Sequence, residues 1–201
     1  DTDGPLVSRT AFGGECQPDA NAISVIPAYD LVDLATYSDY GTVGAFYCFK
    51  DPDTKFATVL SNRGCRAQCT FCSVRNFNGV GVRQRSVSSV LDELEILERD
   101  HGIGHFMWLD DDLFKDHARA IELFEAMVER GLTMTWDATN GVLASSCTDE
   151  VIEAAANSGC IAVNIGMESG NREILKSVRK PGTVETFLKA AEVLVKYPQI
   201  H

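Results

Sequence analysis

No run of apolar residues in this sequence approaches the roughly 18 to 20 that a membrane-spanning helix needs. The opening residues, Asp1 to Pro5, have neither the positive start nor the apolar stretch of a secretory signal. Both absences point to a soluble, cytoplasmic protein. Basic residues are scarce, 18 against 29 acidic ones, for a formal charge of −11. That field repels a phosphate backbone and disfavours nucleic acid as a partner. The histidines (His101, His105, His117, His201) show no metal-like pairing and are assigned to surface or packing roles. The seven cysteines are an odd number with three crowded into eight residues, which excludes a secreted disulfide framework. Cys16, Cys48, Cys147 and Cys160 stand alone, as buried free thiols do.

What is present suits one globular domain with an appendage: 201 residues, 45% of them hydrophobic and 23% charged. Residues 1–55 are irregular and broken by Gly and Pro, a lead-in or connector in which one short helix is expected after Pro27, with Leu31 and Leu34 on the same side. From residue 56 to 201 short apolar runs alternate with amphipathic stretches. Strands are expected at Phe56 to Ser61, His105 to Leu109, Leu132 to Trp136 and Ile161 to Ile165. Helices are expected at Val87 to Arg99, Ala118 to Arg130, Asp149 to Asn157, Asn171 to Val178 and Thr183 to Tyr197. In the first, Val90, Leu91, Leu94 and Leu97 share a face, and Ser89 with Asp92 has capping-box spacing. In the second, Ile121, Phe124 and Val128 face the core. In the last, Val184, Phe187, Leu188, Ala191 and Val195 do. The sequence opens without Met and stops straight after a helical pattern, where a fifth strand is due, so both natural ends are expected to be missing. Four βα units make an α/β fold, either a doubly wound sheet or an arc of a barrel, and both place ligands at the carboxyl ends of the strands.

Directly after the first strand stands Ser61-Asn62-Arg63-Gly64-Cys65-Arg66-Ala67-Gln68-Cys69-Thr70-Phe71-Cys72, a CxxxCxxC set where such folds carry their chemistry. Three thiolates in one short loop can bind three irons of a cubane and leave the fourth iron open. A structural zinc site would need a fourth ligand, and a plain electron-transfer cluster would be fully ligated by protein. The arginines at 63, 66, 75, 83 and 85 make this neighbourhood locally basic, which suits an anionic small molecule or a cofactor carboxylate.

From about Phe56 to the end, the CxxxCxxC loop, the Asn62-Arg63-Gly64-Cys65 phrase, Phe71 before the third cysteine and the βα units in order resemble the radical S-adenosylmethionine (radical SAM) superfamily. The resemblance implies a partial (β/α)6 radical SAM barrel with its first four βα units in residues 56–201. It implies a 4Fe-4S cluster on Cys65, Cys69 and Cys72, and S-adenosyl-L-methionine chelating the open iron. In that family an electron from the cluster cleaves the cofactor's carbon–sulfur bond to give a 5'-deoxyadenosyl radical, which abstracts hydrogen from a substrate. Phe71 is expected to pack against the cofactor. Where family members often carry Gly-Gly-Glu, this chain departs with Asp110-Asp111-Asp112, similar to the subset joined to an upstream cobalamin-binding domain; Asp110 or Asp111 is then expected at the cofactor's ammonium. Glu168 and Ser169, in Gly166-Met167-Glu168-Ser169-Gly170, resemble the phrase used around the cofactor's ribose and methionine parts. Asp137 and Asn140 fall on the same face without a motif to assign them.

The implied partners are a small-molecule substrate and an electron donor such as flavodoxin or ferredoxin. Cobalamin enters as an additional cofactor if the upstream domain is present, with methyl transfer or oxidative cyclisation as the reaction. A methylthiotransferase-type radical SAM enzyme and a non-catalytic iron–sulfur electron-transfer protein are the alternatives.

Overall fold

A computed structural model describes residues 18–40 and 53–201. Cys16 and Cys48 lie outside them. In chain order the elements are α1 (Leu34–Tyr40), β1 (Phe56–Val59), β2 (Asn62–Arg63), α2 (Val74–Asn78), β3 (Arg83–Gln84), α3 (Val87–His101), β4 (His105–Trp108), α4 (His117–Glu129), β5 (Thr135–Ala138), α5 (Asp149–Asn157), β6 (Cys160–Val163), α6 (Arg172–Ser177) and α7 (Val184–Leu194). The sheet order is β1-β4-β5-β6, and every neighbouring pair is parallel. The order advances in one direction, without the reversal that marks a doubly wound sheet.

Alternation along the strands sorts the residues onto two faces. Ala57, Val59, Phe106, Trp108, Trp136 and Ala138 join the helices in the apolar core. There Trp108 meets Trp136 edge-on at 6.2 Å and Phe124 of α4 stacks on Trp136 at 4.9 Å. The Trp136 indole donates to the Ser158 carbonyl at 3.1 Å, so its buried N–H is satisfied. His105, Met107, Thr135 and Asp137 occupy the opposite face. His105 Nε2 lies 2.8 Å from Asp137 Oδ2 and its Nδ1 2.8 Å from Thr135 Oγ1, which makes His105 a packing residue as expected and ties Asp137 below the strand ends. Cys147 and Cys160 are buried in the core, where desolvation pushes the Cys147 thiol up to about 12.

After α7 the chain returns to the free edge of β6, and His201 donates to the Ile161 carbonyl at 2.8 Å and accepts from Val163 N at 3.0 Å.

The elements stand where the periodicity put them, but several details differ. Helix α3 is capped by Ser86, which accepts from Ser89 N at 3.2 Å, and not by a box starting at Ser89. The Ser89 hydroxyl instead donates to the Ser24 carbonyl at 2.6 Å. The third strand starts at Thr135 because Gly131 takes φ 70 and the chain needs three more residues to reach the sheet. On α4 the inward stripe is Ala120, Leu123, Phe124 and Met127, and Val128 is half exposed. On α7 it is Phe187 and Ala190, leaving Leu188 and Val195 exposed. The two stripes are rotated by one residue from those expected. The single helix expected after Pro27 is two pieces: a 3-10 turn at Tyr29–Leu31, then α1, separated by extended Val32 and by Asp33, which accepts from Thr36 N at 3.2 Å. Leu31 is exposed while Leu34 packs on the core.

The lead-in is anchored to the domain by a buried ion pair. Arg85 and Glu93 are 5% and 2% exposed at their side chains and contact each other, and the Tyr29 hydroxyl donates to the same carboxylate. Burial, then the Glu93 charge, raises the Tyr29 phenol far above its ordinary range. Removing one member of such a pair strands a buried charge. Glu93→Ala is therefore expected to cost about 3–5 kcal/mol in urea unfolding. Arg130→Ala, which breaks an exposed pair with Asp92 and Glu95, should cost no more than about 1 kcal/mol. Equal losses would contradict this account of the anchor.

Candidate active site

The cysteine loop leaves the carboxyl end of β1 through the short hairpin of β2 and β3, paired at Asn62 with Gln84 and Arg63 with Arg83. Gly64 makes the turn possible. Its φ is 93, and a Cβ there would fall 2.2 Å from the Gly81 carbonyl oxygen, a position only glycine tolerates.

The run Asp110-Asp111-Asp112, at the end of β4, grips this loop at three points. Asp110 accepts from Ser61 N at 2.8 Å and from the Ser61 hydroxyl at 2.6 Å. Asp111 Oδ2 accepts from Gly64 N at 3.1 Å and from the Asn78 amide at 2.7 Å. Asp112 pairs with Arg66 at 3.1 Å. The far side of the loop is held by Thr70 N, which donates to the Val178 carbonyl after α6 at 2.9 Å. Successive side chains on an extended end point different ways, and here the divergence lets each carboxylate take a different part of one loop.

Cys65, Cys69 and Cys72 all open on a cleft of about 380 Å³, together with Phe71, Asp111 and Glu168. That volume falls within the range of small-molecule sites, roughly 300–1,000 Å³. Cys65 and Cys69 are half-buried and Cys72 is exposed. Desolvation raises the Cys65 and Cys69 thiols, and the Lys180 ammonium opposes it at Cys69. Phe71 is 57% exposed, an aromatic face open to the cleft. Asn140, also on the wall, is fixed by donating to the Leu109 carbonyl at 2.9 Å and the Asp110 carbonyl at 3.1 Å. Among the described residues no three His, Cys, Asp or Glu side chains converge as the ligands of one metal ion. A cubane distributes three thiolates over three irons, so soft donors spread around one cleft fit a cluster better than a zinc ion.

Two expected contacts are placed elsewhere. Asp110 is 1% exposed, off the cleft wall, with both oxygens committed to Ser61. It bridges the ends of β1 and β4, which leaves Asp111 as the carboxylate of this run that lines the cleft. Ser169 accepts from Asn171 N at 3.0 Å and serves the turn into α6. Asp137 is likewise committed to His105. Sequence reasoning missed Asn164 and Lys180 on the wall. Asn164, just past β6, was findable from position alone, whereas nothing in the sequence linked Lys180 to Glu168 twelve residues earlier.

Residues 59–199, which span the cysteine triad and the carboxyl ends of all the strands of the parallel sheet, match the family model of the Radical SAM superfamily. The chain belongs to the radical SAM superfamily. It is 35% identical over 188 residues to the cytidylyl-2-hydroxyethylphosphonate methyltransferase of Streptomyces wedmorensis, covering 90% of this chain and 35% of that protein. Its fold matches the radical SAM methyltransferase TsrM from Kitasatospora setae, solved with cobalamin and a 4Fe-4S cluster bound, at a TM-score of 0.67 and 23% identity over 83% of this chain and 31% of that one. It also matches the cobalamin-dependent radical enzyme OxsB, solved with aqua-cobalamin and S-adenosylmethionine, at a TM-score of 0.61 and 25% identity over 68% of this chain and 22% of that one. The chain spans about a third of the length of the curated relatives it matches. Among the described residues no helix is long and apolar enough to cross a membrane.

The latch itself titrates. Burial pushes the Asp110 carboxyl from 3.8 up to about 7, against the pull of Ser61 and Arg119. The protonated form still fits, since the Ser61 hydroxyl can accept where it otherwise donates. A folded value above the unfolded one means that Asp110 favours the fold most below pH 4 and progressively less as pH rises to about 7. In urea unfolding of the parent and of Asp110→Asn, the stability difference should shrink across that window and level off above it. A difference that grows with pH would contradict the assignment.

Proposed function

We propose that this chain is the core of a radical SAM enzyme in which Cys65, Cys69 and Cys72 hold a 4Fe-4S cluster, with S-adenosyl-L-methionine in the adjoining cleft. The observation that carries the reading is the opening of all three thiols on one cleft with Phe71, Asp111 and Glu168 on its walls. When bound, the cluster supplies the electron that cleaves the cofactor reductively.

The chain's own residues do the positioning. Asp111 is fixed by Gly64 N and the Asn78 amide, so its carboxylate is preorganised for a cationic group such as the cofactor's ammonium. Glu168 offers acceptor oxygens for ribose hydroxyls, and the exposed ring of Phe71 offers an apolar face that excludes water from the cluster side. Asp110 and Ser169 act through the backbone they hold, and Asn140 fixes the β5 loop against the β4 end.

The unidirectional strand order, and His201 pairing on β6, support an arc of a (β/α)6 barrel over residues 56–201, with residues 1–55 as the connector. A methyl transfer to an organic small molecule is the favoured overall reaction, with cobalamin as second cofactor, supported by the cytidylyl-2-hydroxyethylphosphonate methyltransferase at 35% identity. An external electron carrier of the flavodoxin or ferredoxin kind and a cytoplasmic location complete the reading.

The test is anaerobic reconstitution followed by incubation with S-adenosyl-L-methionine and dithionite. The parent chain should bind about four irons and four sulfides and release 5'-deoxyadenosine. Cys69→Ala should lose the iron and the product while keeping its far-ultraviolet circular dichroism, since the βα core does not rest on this thiol. A Cys69→Ala protein with a full iron and sulfide load would overturn the ligand assignment.

A further inference from the structure

Two charged residues of the cleft, Arg75 and Lys180, are used neither by the motif nor by the proposed cofactor contacts, and Lys180 is the one paired with a carboxylate of the wall. Its Nζ lies 2.9 Å from Glu168 Oε1, and its side chain is 13% exposed against 39% for the glutamate. The pair is built into the backbone at several points. Glu168 and Arg179, next to Lys180, both take left-handed φ values, 62 and 53. Non-glycine residues rarely adopt these unless the surroundings hold them there. Lys180 N donates to the Leu175 carbonyl at 2.9 Å. Gly166 leaves the space, since a Cβ there would fall 2.9 Å from Glu168 Oε1 and 3.1 Å from Lys180 Nζ. The same segment reaches the cysteine loop through the bond from Thr70 N to the Val178 carbonyl.

We propose that Lys180 is a positioning residue with two effects: it holds Glu168 against the cleft wall, and it places a fixed positive charge on the cleft that the three cysteines line, which makes the bound cluster easier to reduce. The proposal rests on the cluster assignment made above. A cubane on three thiolates is an anion, and the electron it takes from an external donor adds one more negative charge with no bond made or broken. A nearby cation in a partly desolvated cleft stabilises the reduced form more than the oxidised one. Glu168 opposes this but does not cancel it: its side chain is the more exposed of the pair, 39% against 13%, so solvent screens the glutamate's charge more than the lysine's. Deleting Lys180 would both remove the cation and leave Glu168 unpaired next to the cluster.

The experiment is a redox titration of the reconstituted chain, followed by electron paramagnetic resonance, in the parent, Lys180→Arg, Lys180→Met, Glu168→Gln and the Lys180→Met/Glu168→Gln double variant. At the parent's midpoint, Lys180→Met should lower the reduced-to-oxidised ratio by about tenfold, ~59 mV for a one-electron couple. Lys180→Arg should restore the parent value, Glu168→Gln should shift it the opposite way, and the double variant should fall between the two singles. A Lys180→Met protein that carries a full cluster and titrates like the parent would overturn the proposal while leaving the cluster assignment standing. If Lys180→Met does not take up cluster, Glu168→Gln decides, and the absence of a rise there overturns the proposal. A parent chain that takes up no cluster would instead sink the reading of the site itself.

Discussion

The site depends on one constraint: a loop with three thiols must be held open at the end of a parallel sheet without being filled by its own side chains. The Asp110-Asp111-Asp112 run meets it. Each carboxylate takes a separate part of the loop, Ser61, Gly64 with Asn78, and Arg66 in turn, so the loop is fixed from β4 at three points over a few residues. Charge-assisted bonds to backbone N–H and guanidinium are the strong kind, and two of these three carboxylates are nearly fully buried. The Cys65 thiol accepts only a weak bond, from Ala67 N at 3.4 Å.

The sheet supplies the rigidity behind that latch. Trp108, Trp136 and Phe124 fill the space between sheet and helices, and large-to-small changes in such cores cost several kcal/mol, about 3–5 for an aromatic. Because the strand ends are fixed, Asn140 reaches the cleft from the loop after β5, and Asn164 and Glu168 reach it from the loop after β6. This is how a βα architecture assembles a site from distant parts of the chain. The Lys180–Glu168 pair extends the same logic to electrostatics, with backbone geometry at 168 and 179 fixing where the charges sit.

Much of this was legible in the sequence. Short apolar runs located the four strands of the parallel sheet, and the 3.6-residue period located the helices α3 to α7, because each buries a continuous apolar stripe. The period missed by one residue on α4 and α7, where Val128, Leu188 and Val195 are apolar but exposed. The β2–β3 hairpin was invisible because it joins two-residue strands across twenty residues. The place of the three cysteines at the end of the first strand was readable from spacing and order. The choice within Asp110-Asp111-Asp112 was not, since alternation at an extended end cannot say which of three identical side chains turns inward and which turns to the neighbouring strand. Lys180 was unreadable for a simpler reason: its partner lies across a helix, and no periodicity connects them.

The most direct test of the central claim, that three thiolates hold a cluster with one iron open to a cofactor, is the electron paramagnetic resonance spectrum of the reduced, reconstituted chain with and without S-adenosyl-L-methionine. A four-iron signal whose g-values change when the cofactor is added is the result expected of an open iron. A signal that is identical in both samples would mean a cluster fully ligated by protein and would contradict it.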